Sequence, residues 1–305
     1  MALSILILGS GAATPSVNRN PSGILLKSES SSFLIDCGEG TQLQIRKYKE
    51  SIQRIDQVFI THLHADHYLG LFGLISTQGL LGRERDLEIF APKGLKEMID
   101  VQLKITNTYL CFKLIIHEVD CSQSLMIFEN KDIQVFSYPL NHKIPCSAYV
   151  FKEKIKPRNL IPSKITELKI PVYMRNKIKM GEDFIDDSGK IYANRTLTLD
   201  PQKPQSFAYF SDTKVLTKAP DVIQGVDLLY HESTFLHDMQ SRAEKTYHST
   251  ALQAAEFAVK CEVKKLVLGH FSARYNELTD FVLEASKVFA NVEVAKDGKQ
   301  FFISE

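Results

Sequence analysis

With 305 residues the chain can form one large domain or two modest ones, and its composition, 44% hydrophobic and 24% charged, is that of an ordinary globular protein, which excludes wholesale disorder. A net charge of +1 selects no class of partner, and no stretch approaches the roughly 18 apolar residues of a membrane-spanning helix, so no membrane association is expected. Cys37, Cys111, Cys121, Cys146 and Cys261 are scattered and form no CxxC pair, which argues against a disulfide framework or a thiolate zinc site and fits reduced thiols in a cytoplasmic protein.

Short apolar, β-rich runs alternate with turn signals and amphipathic stretches, the pattern of a mixed α/β domain. A first buried strand is predicted at Ser4–Leu8, running into a Gly/Ser/Ala turn; no basic region precedes it, so it is not expected to be a signal peptide. Further strands are predicted at Ile24–Leu26, Ser32–Asp36, Gln57–Thr61, Glu88–Ala91, Leu114–Val119, Ile133–Pro139, Ser206–Ser211, Leu228–His231 and Lys265–Gly269. Helices are predicted at Thr41–Tyr48, Gly70–Gln78, Lys93–Leu103, Ser249–Lys260 and Leu278–Phe289, and a hairpin near Asn130–Asp132. The whole chain is expected to be one domain, 1–305, with an insertion at 151–197.

That insertion has weak periodicity, punctuated by Pro157, Pro162, Pro171 and Gly181. Between Lys152 and Lys179 it carries nine Lys and Arg residues against two acids, Glu153 and Glu167. A long, basic insertion in a compact domain is more often functional than idle, and the charge suits a polyanion. Lys152, Lys154, Lys156, Arg158, Lys164, Arg175, Lys177 and Lys179 are the candidate contacts.

The chemistry is expected where VFITHLHADHYLG places His62, His64, Asp66 and His67 directly after a strand and before a helix. Alternate residues of an extended chain point the same way, so His62 and His64 can face one metal together. Asp66 and His67, where the chain turns, can face a second one about 3.5–4 Å away. Imidazole and carboxylate ligands without thiolate suit zinc and tolerate manganese. Two metals need more ligands, and His142, Asp212 and His270 each follow an apolar strand, where open sheets place their sites.

The order HxHxDH, isolated His, Asp and last His resembles the metallo-β-lactamase superfamily. The segments LGSGAATPSVNRNPSG, FLIDCGEGTQLQI, YFSDT, YHESTF, His-Ser-Thr at 248–250 and GHFSARY narrow the likeness, over essentially the whole chain, to the ribonuclease Z group, endonucleases that mature the 3′ end of transfer RNA. The resemblance implies an αβ/βα four-layer sandwich with an inserted flexible arm. It implies two zinc ions per subunit: His62, His64 and His142 on the first, Asp66, His67 and His270 on the second, and Asp212 bridging both. Asp66 resembles the group's proton acceptor, and His248, oriented by Glu232, its proton donor to the leaving ribose oxygen. The basic insertion matches the arm that grips transfer RNA, although its tip lacks the group's usual Gly-Pro pair. Short members of the group work as homodimers on precursor transfer RNA, leaving a 3′-hydroxyl on the transfer RNA and a 5′-phosphate on the trailer. The rival readings are a small-molecule hydrolase of the same fold, acting on a phosphodiester, thioester or lactone, and a non-catalytic RNA-binding module. The basic insertion counts against the first, and seven intact ligand candidates count against the second.

Overall fold

Side chains alternate across a strand, so a strand whose neighbouring residues are all apolar is buried on both faces. Leu34, Val58 and Ile89 lie in one core with Ile45, Leu71, Leu74, Leu95 and Ile99 of three helices. Their sequence neighbours Phe33, Phe59 and Phe90 point the other way, with Phe59 and Phe90 stacked at 4.8 Å between ring centroids. The computed structural model describes residues 3–303 and divides them into two units.

The larger unit contains two seven-stranded sheets. From edge to edge, the first runs Gln300–Phe302, Ser4–Gly9, Gly23–Lys27, Ser32–Ile35, Ile55–Phe59, Leu87–Ala91 and Leu114–Glu118, the last four mutually parallel. Helices Thr41–Lys47, Gly70–Leu80 and Leu95–Ile105 cover its outer face. The second sheet runs Val292–Val294, Leu266–Gly269, Leu228–Glu232, Ser206–Phe210, Ser147–Glu153, Ile133–Pro139 and Leu125–Glu129, the first four parallel. Helix Ala251–Lys260 packs Phe257 on Phe210 and His231 of its outer face, and Thr279–Ala285 lies beside that helix. Thr250 and Gln253 form a capping box that fixes where Ala251–Lys260 begins.

Between the sheets lies an aromatic layer, with Phe33 5.6 Å from Phe151 and Phe59 5.4 Å from Tyr149. Helices, sheet, sheet and helices thus form the expected αβ/βα four-layer sandwich. The strands Gly23–Lys27, Leu125–Glu129, Ser147–Glu153, Val292–Val294 and Gln300–Phe302 are longer than, or additional to, those predicted.

The carboxyl ends of parallel strands from both sheets carry Asp36, Thr61 to His64, Asp212, Glu232 and His270. Two glycines allow the chain to close around them. A Cβ on Gly38 would lie 2.4 Å from the Asp66 carbonyl oxygen, and one on Gly269 would lie 2.0 Å from the Tyr230 hydroxyl. Neither approach leaves room for a side chain.

The smaller unit comprises Lys131–Ile133 and Glu153–Pro204. Weak periodicity predicted little regular structure here, yet the unit is folded. Helices Pro162–Glu167 and Val172–Lys179 and the two short ladders Asn159–Leu160 with Thr198–Leu199 and Phe184–Ile185 with Ile191–Tyr192 surround a separate core. Ile165, Ile170, Ile178, Phe184 and Leu197 are its buried members. Pro162 sits at the start of its helix, where a missing N–H costs nothing. Truncating fully buried Ile178 to alanine should cost about 2–5 kcal/mol, more than so small a core can absorb. Hydrogen exchange should then show protection lost across residues 160–199 while Leu266–Gly269 stays protected. Equal loss in both places would mean that the two units share one folding transition.

Candidate metal centre and catalytic site

The larger unit gathers six imidazoles and several carboxylates of the loops that follow its strands. His62 Nε2, His64 Nδ1 and His142 Nε2 converge, with His64 Nδ1 3.0 Å from His62 and 3.2 Å from His142. Asp66, His67 and His270 form a second group, with Asp66 Oδ2 3.4 Å from His67 Nε2 and 3.6 Å from His270 Nε2. Asp212 stands between them. Its Oδ2 lies 3.6 Å from His62 and 3.9 Å from His142, while its Oδ1 lies 3.5 Å from His67 and 3.1 Å from His270. All seven ligand-type residues singled out in the sequence therefore come together.

The remaining ring nitrogens determine the tautomers. His67 Nδ1 donates to the Asp36 carboxylate at 2.8 Å, and His142 Nδ1 to the Tyr247 carbonyl at 3.1 Å. Thr61 Oγ1 donates to Asp36 and so accepts from His62 Nδ1; Thr234 Oγ1 donates to Glu232 and accepts from His270 Nδ1. In each of these four rings the proton sits on Nδ1, leaving the Nε2 lone pair facing inward. Nε2 of both His67 and His270 is buried without a hydrogen-bond partner. A proton on His64 Nδ1 can serve only one of the two Nε2 lone pairs at 3.0 and 3.2 Å, whereas a cation among the three nitrogens satisfies all of them. Nitrogens about 2.0–2.1 Å from a tetrahedral zinc are about 3.3 Å apart, close to these spacings. The donor set fits metal ions.

The electrostatics agree with that fit. Burial, reinforced by neighbouring His67, pushes His62 well below its ordinary value, and burial lowers His64 and His142, so these three are neutral and available as ligands. Burial opposes a charge on His67, yet Asp212, Asp66 and Asp36 outweigh it and raise that imidazole well above its usual value, so these carboxylates favour a positive charge at its Nε2, which a metal ion or a second proton supplies. Burial likewise opposes ionisation of Asp66 and Asp212, but the histidines around them hold both carboxyls far below the usual range. Carboxylates kept charged at this depth mark a place built for positive charge.

His248 lies beside this centre. Its Nδ1 donates to Glu232 Oε1 at 2.9 Å, and its ring is 5.5 Å from those of both His142 and His270. Burial works against the imidazolium, but Glu232 and then Asp212 push its pKa up to about 9. Glu232 is fully buried and accepts from the backbone N–H groups of Thr213, Thr234 and Ser249 as well. The ligand-type atoms of His248, Asp212 and His270 also lie within 4.8 Å of one another. With Nδ1 donating to Glu232, the His248 ring keeps Nε2 for a further partner.

Asp36, Thr61, Thr234 and Tyr247 were not expected from the sequence as partners of the ligands. Asp36 alone accepts from Thr61 N and Oγ1, His67 Nδ1 and the Tyr209 hydroxyl. His117 stacks on Phe90 and pairs with Glu88, away from these groups. His231 is buried between Phe210 and Phe257. In the smaller unit, Arg158 pairs with Asp200, Lys164 with Glu167, and Arg175 donates to the Ile170 carbonyl. Lys152, of the larger unit, lies over the Phe136 ring, and Lys154 and Lys156 have partners of their own. Among the described residues, Lys177 and Lys179 have no carboxylate within 4.0 Å.

A four-layer αβ/βα sandwich with these imidazoles and carboxylates at its strand ends defines a metal-dependent hydrolase of the metallo-β-lactamase fold. Ribonuclease Z from Bacteroides fragilis (strain YCH46) is 42% identical over 291 residues, spanning 95% of this chain and 96% of that protein. Ribonuclease Z from Parabacteroides distasonis is 39% identical over 98% of both. Among solved structures, human tRNase Z, short form (ELAC1), superposes with a TM-score of 0.72 at 27% identity, covering 99% of this chain and all of the other. The metallo-β-lactamase fold protein YhfI from Bacillus subtilis shares the fold at a TM-score of 0.69 and 19% identity, covering 99% of both chains. The family model described as anti-Pycsar protein Apyc1 matches residues 3–135 alone. The chain belongs to the ribonuclease Z family and is an endoribonuclease.

Asp36 holds His67 directly and His62 through Thr61, so it should tune a metal it does not touch. Asp36→Asn should weaken metal affinity about 10–100-fold, measured by competition with a chromogenic chelator. Unchanged affinity would reduce Asp36 to a packing role.

Proposed function

We propose that this chain removes the 3′ trailer from precursor transfer RNA, using two zinc ions held as the site's two ligand groups suggest. The supporting observation is the pairing of Asp212's two oxygens with different imidazole sets, Oδ2 toward His62 and His142 and Oδ1 toward His67 and His270. His62, His64, His142 and Asp212 would hold one ion, and Asp66, His67, His270 and Asp212 the other. When bound, such ions supply activation of water near neutral pH and neutralisation of charge on phosphoryl oxygens.

The protein's own groups supply the rest. Asp66 Oδ2 is already fixed by the Ala13 N–H at 2.8 Å, so the carboxylate can orient the attacking water and take up its proton briefly. Its depressed pKa makes it a weak base, which suits orientation better than lasting protonation. His248, held by Glu232 as an imidazolium, donates to the departing ribose 3′-oxygen. The products are a 3′-hydroxyl on the transfer RNA and a 5′-phosphate on the trailer.

The smaller unit would bind the body of the substrate through phosphate contacts, which give affinity and register rather than sequence reading. Because Arg158 and Lys164 are already paired, Lys177 and Lys179 would contribute most. The resemblance to short-form enzymes is what supports a cytoplasmic homodimer; no helix among the described residues is long and apolar enough to cross a membrane.

Incubation with a 3′-extended precursor transfer RNA, followed by mapping of the cut, tests this reading. The expected result is one cut at the trailer junction with a 3′-hydroxyl upstream; an intact precursor beside an active small diester would favour the small-molecule reading. His248→Ala should keep its metal and lose kcat about 10²–10⁴-fold, with a smaller loss when the leaving group is already acidic, as in a nitrophenyl diester. Loss of metal from that variant would instead make His248 a ligand. Lys177→Ala with Lys179→Ala should raise KM for the precursor and flatten the salt dependence of binding by a slope of about 2. An unaltered slope would remove these lysines from the RNA contact.

A further inference from the structure

The segment that supplies Asp212 continues into a lysine that the ligand scheme leaves unused. Lys214 N donates to the carbonyl of Asn141, the residue before His142, and Asn141 N donates to Thr213 Oγ1. The Lys214 backbone is therefore tied to the loops that carry two of the site's ligands. Its ammonium lies 4.0 Å from the centroid of the Tyr247 ring. A surface lysine ordinarily pairs with a carboxylate, but among the described residues none lies within 4.0 Å of this one. A ring face positions a cation without neutralising it.

Tyr247 is held in place as well. Its φ of 64° is left-handed, a conformation uncommon for a tyrosine, and it allows the Tyr247 carbonyl to accept from His142 Nδ1 while the ring supports Lys214. The next residue is His248. On the mechanism proposed above, His248 serves the leaving 3′-oxygen, which belongs to the transfer RNA, and the charge borne by the adjoining residue's ring is assigned to that side of the cut.

We infer that Lys214 is a substrate-binding residue whose ammonium, presented on the Tyr247 ring, contacts the phosphate immediately 5′ to the scissile one. This inference rests on the ribonuclease reading. It gives the site a second anion subsite, for a phosphodiester that does not react, and so favours a polynucleotide over an isolated diester.

A double-mutant cycle between protein and substrate tests it. Two precursor transfer RNAs are compared, one with a methylphosphonate in place of the phosphate 5′ to the scissile one. Both carry a 2′-O-methyl group on the nucleotide preceding that linkage, so that the neutral linkage survives. Wild-type protein should lose kcat/KM on the order of 10–100-fold when that charge is removed, as expected for a charged hydrogen bond. Lys214→Met should show a similar loss on the charged precursor, little further loss on the neutral one, and unchanged metal content. Lys214→Arg, which retains a phosphate donor, should recover most of the activity. Additive losses, or loss of metal in Lys214→Met, would overturn the assignment while leaving the ribonuclease reading intact. If wild-type protein cuts neither precursor but hydrolyses a nitrophenyl diester, the ribonuclease reading fails and the Lys214 contact fails with it.

Discussion

Imidazole nitrogens of three histidines held 3.0–3.2 Å apart are the constraint around which the molecule is arranged. With the protons of His62 and His142 committed to Nδ1 on the far side of each ring, a proton on His64 Nδ1 can serve only one of the two facing Nε2 lone pairs well. A cation satisfies all three nitrogens at once, and the burial that makes neutral His62 stable also keeps it a ligand rather than an imidazolium. Asp212 extends the arrangement by dividing its two oxygens between the groups.

Keeping such a cluster in shape falls to two buried carboxylates, one from each sheet. Asp36, after the strand Ser32–Ile35, gathers Thr61, His67 and Tyr209 and so fixes two ligand rings. Glu232, at the end of Leu228–Glu232, gathers Thr213, Thr234, Ser249 and His248 and so fixes one ligand ring and the proposed proton donor. Each is buried, and each is tolerated because donors surround it. The aromatic layer between the sheets holds these two supports in fixed relation. Asp36, Tyr247 and His270 have left-handed φ angles, which aim a carboxylate, a carbonyl and an imidazole into the site.

The motif from His62 to His67 was legible in the sequence because four ligand-type residues fall within six positions after an apolar strand. His142, Asp212 and His270 were legible through a shared signal, a polar residue ending a buried run. Asp36, Thr61, Thr234 and Tyr247 were not, because an ordinary residue acquires its role from a neighbour many positions away. Tyr247 and His142 are 105 residues apart, for example, and only the closed fold brings the carbonyl to the ring. The small core around Ile178 was hidden for a different reason. Helices of 6 and 8 residues are too short to impose a clear period, and the apolar residues they bury are completed by strands of two residues each. Dense positive charge over the same stretch also resembled a solvated loop.

The proposed pair of metal ions is tested most directly by calorimetric titration of metal-stripped protein with zinc. Two equivalents should bind per chain, the unfolding temperature should rise as the sites fill, and Asp66→Ala, which disables a single ligand group, should keep only one tight equivalent. Binding of one equivalent or fewer to the wild-type chain, or two with no gain in stability, would contradict the proposed pair.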